Sequence, residues 1–123
     1  MEQPMQITEL KPVRVVPANF GPLRGANANA RITGPCGDTM EFWLRVEDGR
    51  VKRAMFTTDG CEASIRCGSA AAEWAESKPV EVVAAVTQAD VLAAAGNIPE
   101  DSKHCGLLAA NTLKAALATL KPT

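Results

Sequence analysis

The chain has 123 residues, enough for one domain with its own core. Its formal net charge is −1, it has no basic run, and aromatics make up only 4%, so a nucleic-acid partner, which needs a basic footprint and stacking rings, is not expected. No stretch approaches the ~20 uninterrupted apolar residues of a membrane span. The start, MEQPMQITEL, lacks the charged-then-apolar pattern of a secretory leader, so the expected location is cytoplasmic, with no membrane partner. The four cysteines are then expected to be reduced, and to be metal-binding, reactive or buried.

Residues 1–28 read as a flexible or partly ordered leading segment, and 29–121 as the domain proper. KPVRVVPANFGPLRGANANA carries three prolines and several turn-formers. Lys11 to Val16 is extended at most, and GANANA reads as loop. A short strand over Ala30 to Thr33 is expected to follow.

The next stretch is clearer. Met40, Phe42, Leu44 and Val46 alternate with Thr39, Glu41, Trp43 and Arg45, the period of a strand with one buried face. Asp48-Gly49 suits a type I′ turn, and Arg50 to Thr58 returns as the second strand of a hairpin. A simple two-residue register sets Arg53 near Leu44, so a bulge or a longer turn is an open alternative.

From Glu62 the pattern turns helical and runs to Lys78-Pro79, which ends it. PVEVVAAV reads as a short helix with Pro79 in its first turn. Thr87 to Asp90 resembles a capping box opening QADVLAAA, with Gly96 closing it. NIPEDSK is a loop in which Ser102 is a candidate N-cap. The last helix is expected from about Lys103 to Leu120, with Ala109, Ala110, Leu113, Ala116, Leu117 and Leu120 on one stripe. Strands first and helices after give an α+β domain, with helices packed on one face of a small antiparallel sheet.

Cys36, Cys61 and Cys105 fall at junctions, each beside a glycine: Gly37, Gly60 and Gly106. Cys36 lies in the bend GPCGD before the hairpin. Cys61 and Cys105 open helices, where exposed N–H groups and the helix dipole favour a thiolate, the form that binds soft metals. Cys67 sits inside a helix and reads as a small buried hydrophobe, with a spare-ligand role left open. His104, the only histidine, precedes Cys105 and is either a ligand, a proton carrier or a surface residue. Asp38 is either part of a site or a turn-former. Three junction cysteines with Asp38 and His104 suggest a metal site, though no C-x-x-C pair marks an ordinary zinc finger.

GPCGDTMEFWLRV, FTTDGCEAS and HCGLLAANTLKAAL, in that order and spacing, resemble the NifU/IscU-type iron–sulfur cluster assembly scaffolds. The resemblance covers roughly Asn19 to Leu120. It implies an α+β domain with a three-stranded sheet. It implies a scaffold or carrier, not an enzyme in its own right, on which a cluster is built from desulfurase-derived sulfur and iron and then passed to apo-proteins. The implied ligands are Cys36, Cys61 and Cys105. Asp38 matches the aspartate that favours cluster release, His104 the histidine of the site, and Cys105 the acceptor of the persulfide. The implied cargo is an iron–sulfur cluster, 2Fe–2S first of all, with zinc as an alternative occupant of the same donors.

The implied partners are a cysteine desulfurase and apo iron–sulfur proteins. The dedicated Hsp70 chaperone is not expected, because NIPEDSK stands where its Leu-Pro-Pro-Val-Lys stretch would be. Three cysteines leave a coordination gap, so the expected state is a monomer or a cluster-bridged dimer. His104, and the lack of an insertion after the second cysteine, set the chain nearer the scaffold branch than the SufU branch. The alternative function is a zinc-binding sulfur relay carrying persulfide on Cys105.

Overall fold

The computed structural model describes residues 16–120. The expected extended run from Lys11 lies outside them up to residue 15. The hairpin forms as its alternation predicts: β2 is Thr39–Glu47 and β3 is Arg50–Thr58, antiparallel. Asp48 (φ 55°) and Gly49 (φ 73°) make the turn with the two positive φ values of type I′. A bulge at Arg45/Val46 absorbs one residue of β3, so Arg45 faces Arg53 and Leu44 faces Ala54. This keeps Val51, Ala54, Phe56 and Thr58 on the buried face shared by Met40, Phe42, Leu44 and Val46. Without it, the inner residues of β3 beyond the bulge would turn to solvent.

β1, Ala28–Thr33, pairs antiparallel with β2 and completes a sheet of order β1-β2-β3. It begins two residues before the expected Ala30. Asparagine and alanine in GANANA read as turn-formers, yet the amides here bond to the sheet. Asn27 exchanges 2.8 Å hydrogen bonds with the backbone N–H and C=O of Val46, and Asn29 Nδ2 donates to Phe42 O at 2.9 Å. Upstream, Phe20 packs edge-on against Phe56, with ring centroids 5.3 Å apart. Asn19 O accepts from Phe56 N, and Gly21 N donates to Phe56 O. Farther along β3, Val51 bonds to Ser77 and Lys78. The outer edge of β3 is therefore capped at both of these places, which limits pairing with another chain.

Four helices follow: α1 Glu62–Ala75, α2 Val80–Ala84, α3 Gln88–Ala95 and α4 His104–Ala118. α1 ends where Ser77 takes φ 76°, ahead of Pro79. Pro79 is the N-cap of α2, one position before the first turn where it was expected. The capping box at Thr87 and Asp90 forms in both directions, at 3.1 and 3.0 Å. Ser102 does not cap α4. A single 3₁₀ turn, Glu100–Ser102, runs straight into the helix, and Lys103 stands at the cap with helical backbone and no side-chain cap bond. Gln88 Nε2 holds this start by donating to Lys103 O at 2.9 Å.

α1 lies on β3, α4 lies on β1 and β2, and α3 packs against both α1 and α4. The helices thus cover one face of the sheet. Buried alanines, Ala71, Ala72 and Ala75 on α1 and Ala109, Ala110 and Ala116 on α4, keep the layers close. Among the described residues, no helix is long and apolar enough to cross a membrane.

Candidate metal centre

The three cysteine-bearing junctions leave the sheet at one end. Thr33 pairs with Thr39, and Met40 with Thr58, so the 34–38 turn and the 59–61 turn lie side by side. The first turn is closed by Gly34 N donating to Asp38 O at 2.8 Å and Gly37 N donating to Gly34 O at 3.0 Å. Gly37 has φ 94°, a conformation that side chains rarely adopt, and the bend leaves Cys36 exposed.

The second turn is tied to the first strand of the hairpin. Thr39 N donates to Asp59 Oδ1 at 2.7 Å, and Asp59 N to Thr39 O at 3.2 Å. Cys61 is the N-cap of α1, but its side chain makes no cap bond. Its carbonyl is held instead, accepting from Ser64 N at 3.0 Å, Ser64 Oγ at 2.7 Å and Ile65 N at 3.2 Å. Ser64 is buried, and its hydroxyl is 3.2 Å from that of buried Thr58, which accepts from Gly60 N. Gly60 has to be glycine on grounds of space. A Cβ there would lie 2.6 Å from Asp38 Oδ2 and 2.6 Å from Ser64 Oγ. Sequence reasoning did not single out Thr58, Asp59 or Ser64. The one available signal was the run of small polar residues around a helix start.

α4 brings His104 and Cys105 to the same end. Cys36 Sγ, an Asp38 carboxylate oxygen and a His104 ring nitrogen lie within 4.8 Å of one another, and so do the ligand atoms of Asp38, Cys61 and Cys105. Asp38 belongs to both groups. The five residues flagged from sequence therefore converge, and Cys67 is in neither group. Three sulfurs with one imidazole and one carboxylate suit zinc or iron, which accept soft and borderline donors.

Access differs sharply among the thiols. Cys36 and Cys61 are exposed, while Cys67 and Cys105 are buried. Burial raises Cys67 to about 11, with Arg66 opposing. Burial also pushes Cys105 up to about 12, helped by Cys61, Cys67 and Asp38. This corrects the expectation that the start of α4 favours a thiolate at Cys105. The helix start is desolvated, and this burial outweighs the dipole. The small-hydrophobe reading of Cys67 holds. His104 is exposed, with Nε2 3.8 Å from Cys105 Sγ. Cys36 and His104 also border an apolar cleft of about 300 Å³, with Ile32, Pro35, Leu107 and Leu108 in its walls.

Comparison with known proteins gives the family. Residues 15–122 match the family described as the NifU-like N terminal domain. The chain is 35% identical over 102 residues to the iron-sulfur cluster assembly scaffold protein IscU 1 of Archaeoglobus fulgidus, covering 82% of this chain and 67% of that protein. It is 33% identical over 110 residues to the iron-sulfur cluster assembly scaffold protein IscU of Haemophilus influenzae, covering 85% and 86%. In fold it is similar to the N-terminal part of a nitrogen-fixing NifU-like protein from Brucella abortus, with TM-score 0.66, 18% identity, and 84% and 85% of the chains covered. The family match spans nearly the whole chain, two relatives exceed 30% identity over most of it, and the three-stranded α+β fold is shared: the chain belongs to the NifU-like N-terminal domain family.

Proposed function

We propose that this protein is a scaffold on which an iron–sulfur cluster is assembled from desulfurase-derived sulfur and iron, and from which the cluster passes to apo-proteins. The observation that carries the reading is the convergence of five soft and borderline donors at one accessible end of the sheet. Cys36, Cys61 and Cys105 are the thiolate ligands. A 2Fe–2S cluster takes four protein ligands, and Asp38 or His104 supplies the fourth. A carboxylate is a harder donor than thiolate, so a cluster held this way is released more readily than one held by four cysteines. Cys105 carries the sulfur that joins the iron. The same donors also suit zinc.

The test is transfer. The protein is loaded anaerobically with ferrous iron and sulfide, then mixed with an apo-ferredoxin, and the ferredoxin spectrum is followed. The expected outcome is a labile visible chromophore that moves to the ferredoxin. Retention of zinc, with no chromophore formed under the same conditions, would replace the scaffold reading with the sulfur-relay one.

A further inference from the structure

We propose that the free edge of β1, together with the apolar cleft between it and α4, is a docking surface for an extended strand of another protein, one that carries an acidic residue between two apolar ones. The inference goes beyond the scaffold reading and does not need the metal.

Strand register leaves this edge open. Gly34 N donates to Asp38 O at 2.8 Å, which continues the ladder between β1 and β2 through the even-numbered residues of β1. Asn29, Arg31 and Thr33 therefore turn their N–H and C=O groups away from β2. Asn29 N is taken by Thr119 Oγ1 at 3.0 Å. Among the described residues, nothing bonds to the outward N–H or C=O of Arg31 or Thr33. The outer edge of β3 differs. It is met at Val51, at Phe56 and at Ala54, whose N–H donates to Glu76 Oε2. The sequence of β1, ANARIT, holds no proline, and its pairing with β2 holds no bulge, two devices that blunt an edge.

What lies beside the edge sets the occupant. The cleft of about 300 Å³ runs between the end of β1 and one face of α4, with Ile32, Leu107, Leu108 and Asn111 in its walls. Leu107 is 46% exposed. In an antiparallel strand added to β1, the residue opposite Arg31 shares the outer face with it. The residues on either side, opposite Ala30 and Ile32, point to the helix side, where the cleft lies. Apolar side chains suit those two positions.

The surface around them is positive. β1 and α4 carry no carboxylate, and Lys114 lies two turns beyond Leu107 on the same face of α4, also exposed. Arg31 is exposed, and among the described residues its side chain has no ion pair or hydrogen bond. Glu41, its neighbour across the ladder, is engaged by Asn29 Nδ2 at 2.9 Å. An acidic residue opposite Arg31 complements this setting. A second copy of the chain fits less well. The antiparallel register that uses the whole edge sets Arg31 against Arg31, and like charges directly opposite are destabilising. Main-chain bonds supply the affinity of an added strand, and the cleft its specificity. Cys36 and His104 border the same cleft, so a strand seated there brings its protein to the metal centre.

The experiment titrates the metal-free, isotope-labelled full chain with the end-blocked peptide Gly-Thr-Val-Glu-Leu-Thr-Gly. Backbone amide signals and their hydrogen exchange are followed by NMR. The expected result is saturable binding, with a Kd of about 1 mM or tighter, and slowed exchange at Arg31 and Thr33. The same peptide N-methylated at its glutamate loses a main-chain bond to β1 and should not bind. Arg31→Glu should weaken the glutamate peptide by about fivefold and favour its lysine counterpart. Leu107→Ser should weaken both by a similar factor. Both positions are exposed, so the melting curves stay in place, which is checked alongside. No binding, unchanged exchange at Arg31 and Thr33, equal binding of the N-methylated peptide, or indifference to Arg31→Glu overturns the proposal. Exchange at these amides that slows with chain concentration alone assigns the edge to a second copy and overturns it too. The titration holds no metal, so its failure leaves the scaffold reading standing, and a failure of cluster loading leaves this surface standing.

Discussion

Replacing Gly60 by alanine puts a methyl group where the site has no room. The new Cβ would lie 2.6 Å from Asp38 Oδ2, 2.7 Å from Asp38 Cγ and 2.6 Å from Ser64 Oγ, where ordinary contacts are 3.4–4 Å. One neighbour has to yield. Ser64 is 0% exposed, bonded to Cys61 O at 2.7 Å and adjacent to the Thr58 hydroxyl. Displacing it strands buried polar groups, at about 1–3 kcal/mol. Asp38 is only half-buried and can swing toward solvent at smaller cost. Asp38 therefore moves, and both donor groups lose the member they share. Zinc affinity, measured by competition with a chromophoric chelator, should fall about 10- to 100-fold, the range found when the fixing of a metal ligand is disturbed. The melting temperature should change little. Asp38→Ala should weaken binding similarly, and the double variant should bind no more weakly than Asp38→Ala alone, because both remove the same interaction. Wild-type affinity with a lowered melting temperature would mean that Ser64 yields instead, and would refute the reasoning. So would an additive double variant.

Other expectations follow from the same geometry. Cys67 and Cys105 sit at about 11 and about 12 against 9.0 for a free thiol, so both are protonated in folded and unfolded chains below pH 9. Between pH 9 and about 11 the unfolded chain loses these protons first, and the metal-free protein should lose stability as pH rises. Urea melts of Cys67→Ala across that window should show a shallower loss than wild type, and equal slopes would count against a buried thiol. A chelator should leave cooperative unfolding in place, because the core of sheet, α1 and α4 closes without metal. Loss of all cooperativity in a melting curve would make the metal structural. Asp38→Ala, once loaded with cluster, should hand it to apo-ferredoxin more slowly than wild type, and a rate equal to or above wild type would remove Asp38 as the point of release.

The strong elements could be read because their local chemistry agrees with their packing. The alternation from Met40 to Val46, Asp48-Gly49 and the Thr87–Asp90 box each specify their geometry within a few residues. The bulge was foreshadowed by Arg53, which a simple register would have set on the apolar face. β1 was harder to read because Ala28 and Asn29 lack an apolar alternation, and its start is held by amide bonds to β2. Ser102 misled because a serine before a helix is normally its cap, whereas here a 3₁₀ turn merges into α4.

In the site, glycine-flanked cysteines at junctions marked the candidate donors, but local spacing could not show that the junctions meet. That depends on strand register, which sets Thr33, Thr39 and Thr58 at one end. The burial of Cys105 was invisible for the same reason: helix position suggests a favoured thiolate, while tertiary packing desolvates it.

The central claim is that Cys36, Cys61 and Cys105 of this chain together hold the cluster. Iron and acid-labile sulfide per chain, counted after anaerobic loading of wild type and of each cysteine-to-serine variant, test it most directly. The prediction is that cluster content collapses in Cys36→Ser, Cys61→Ser and Cys105→Ser and persists in Cys67→Ser. Full content after loss of any of the first three, or collapse on loss of Cys67 alone in a folded chain, would contradict it.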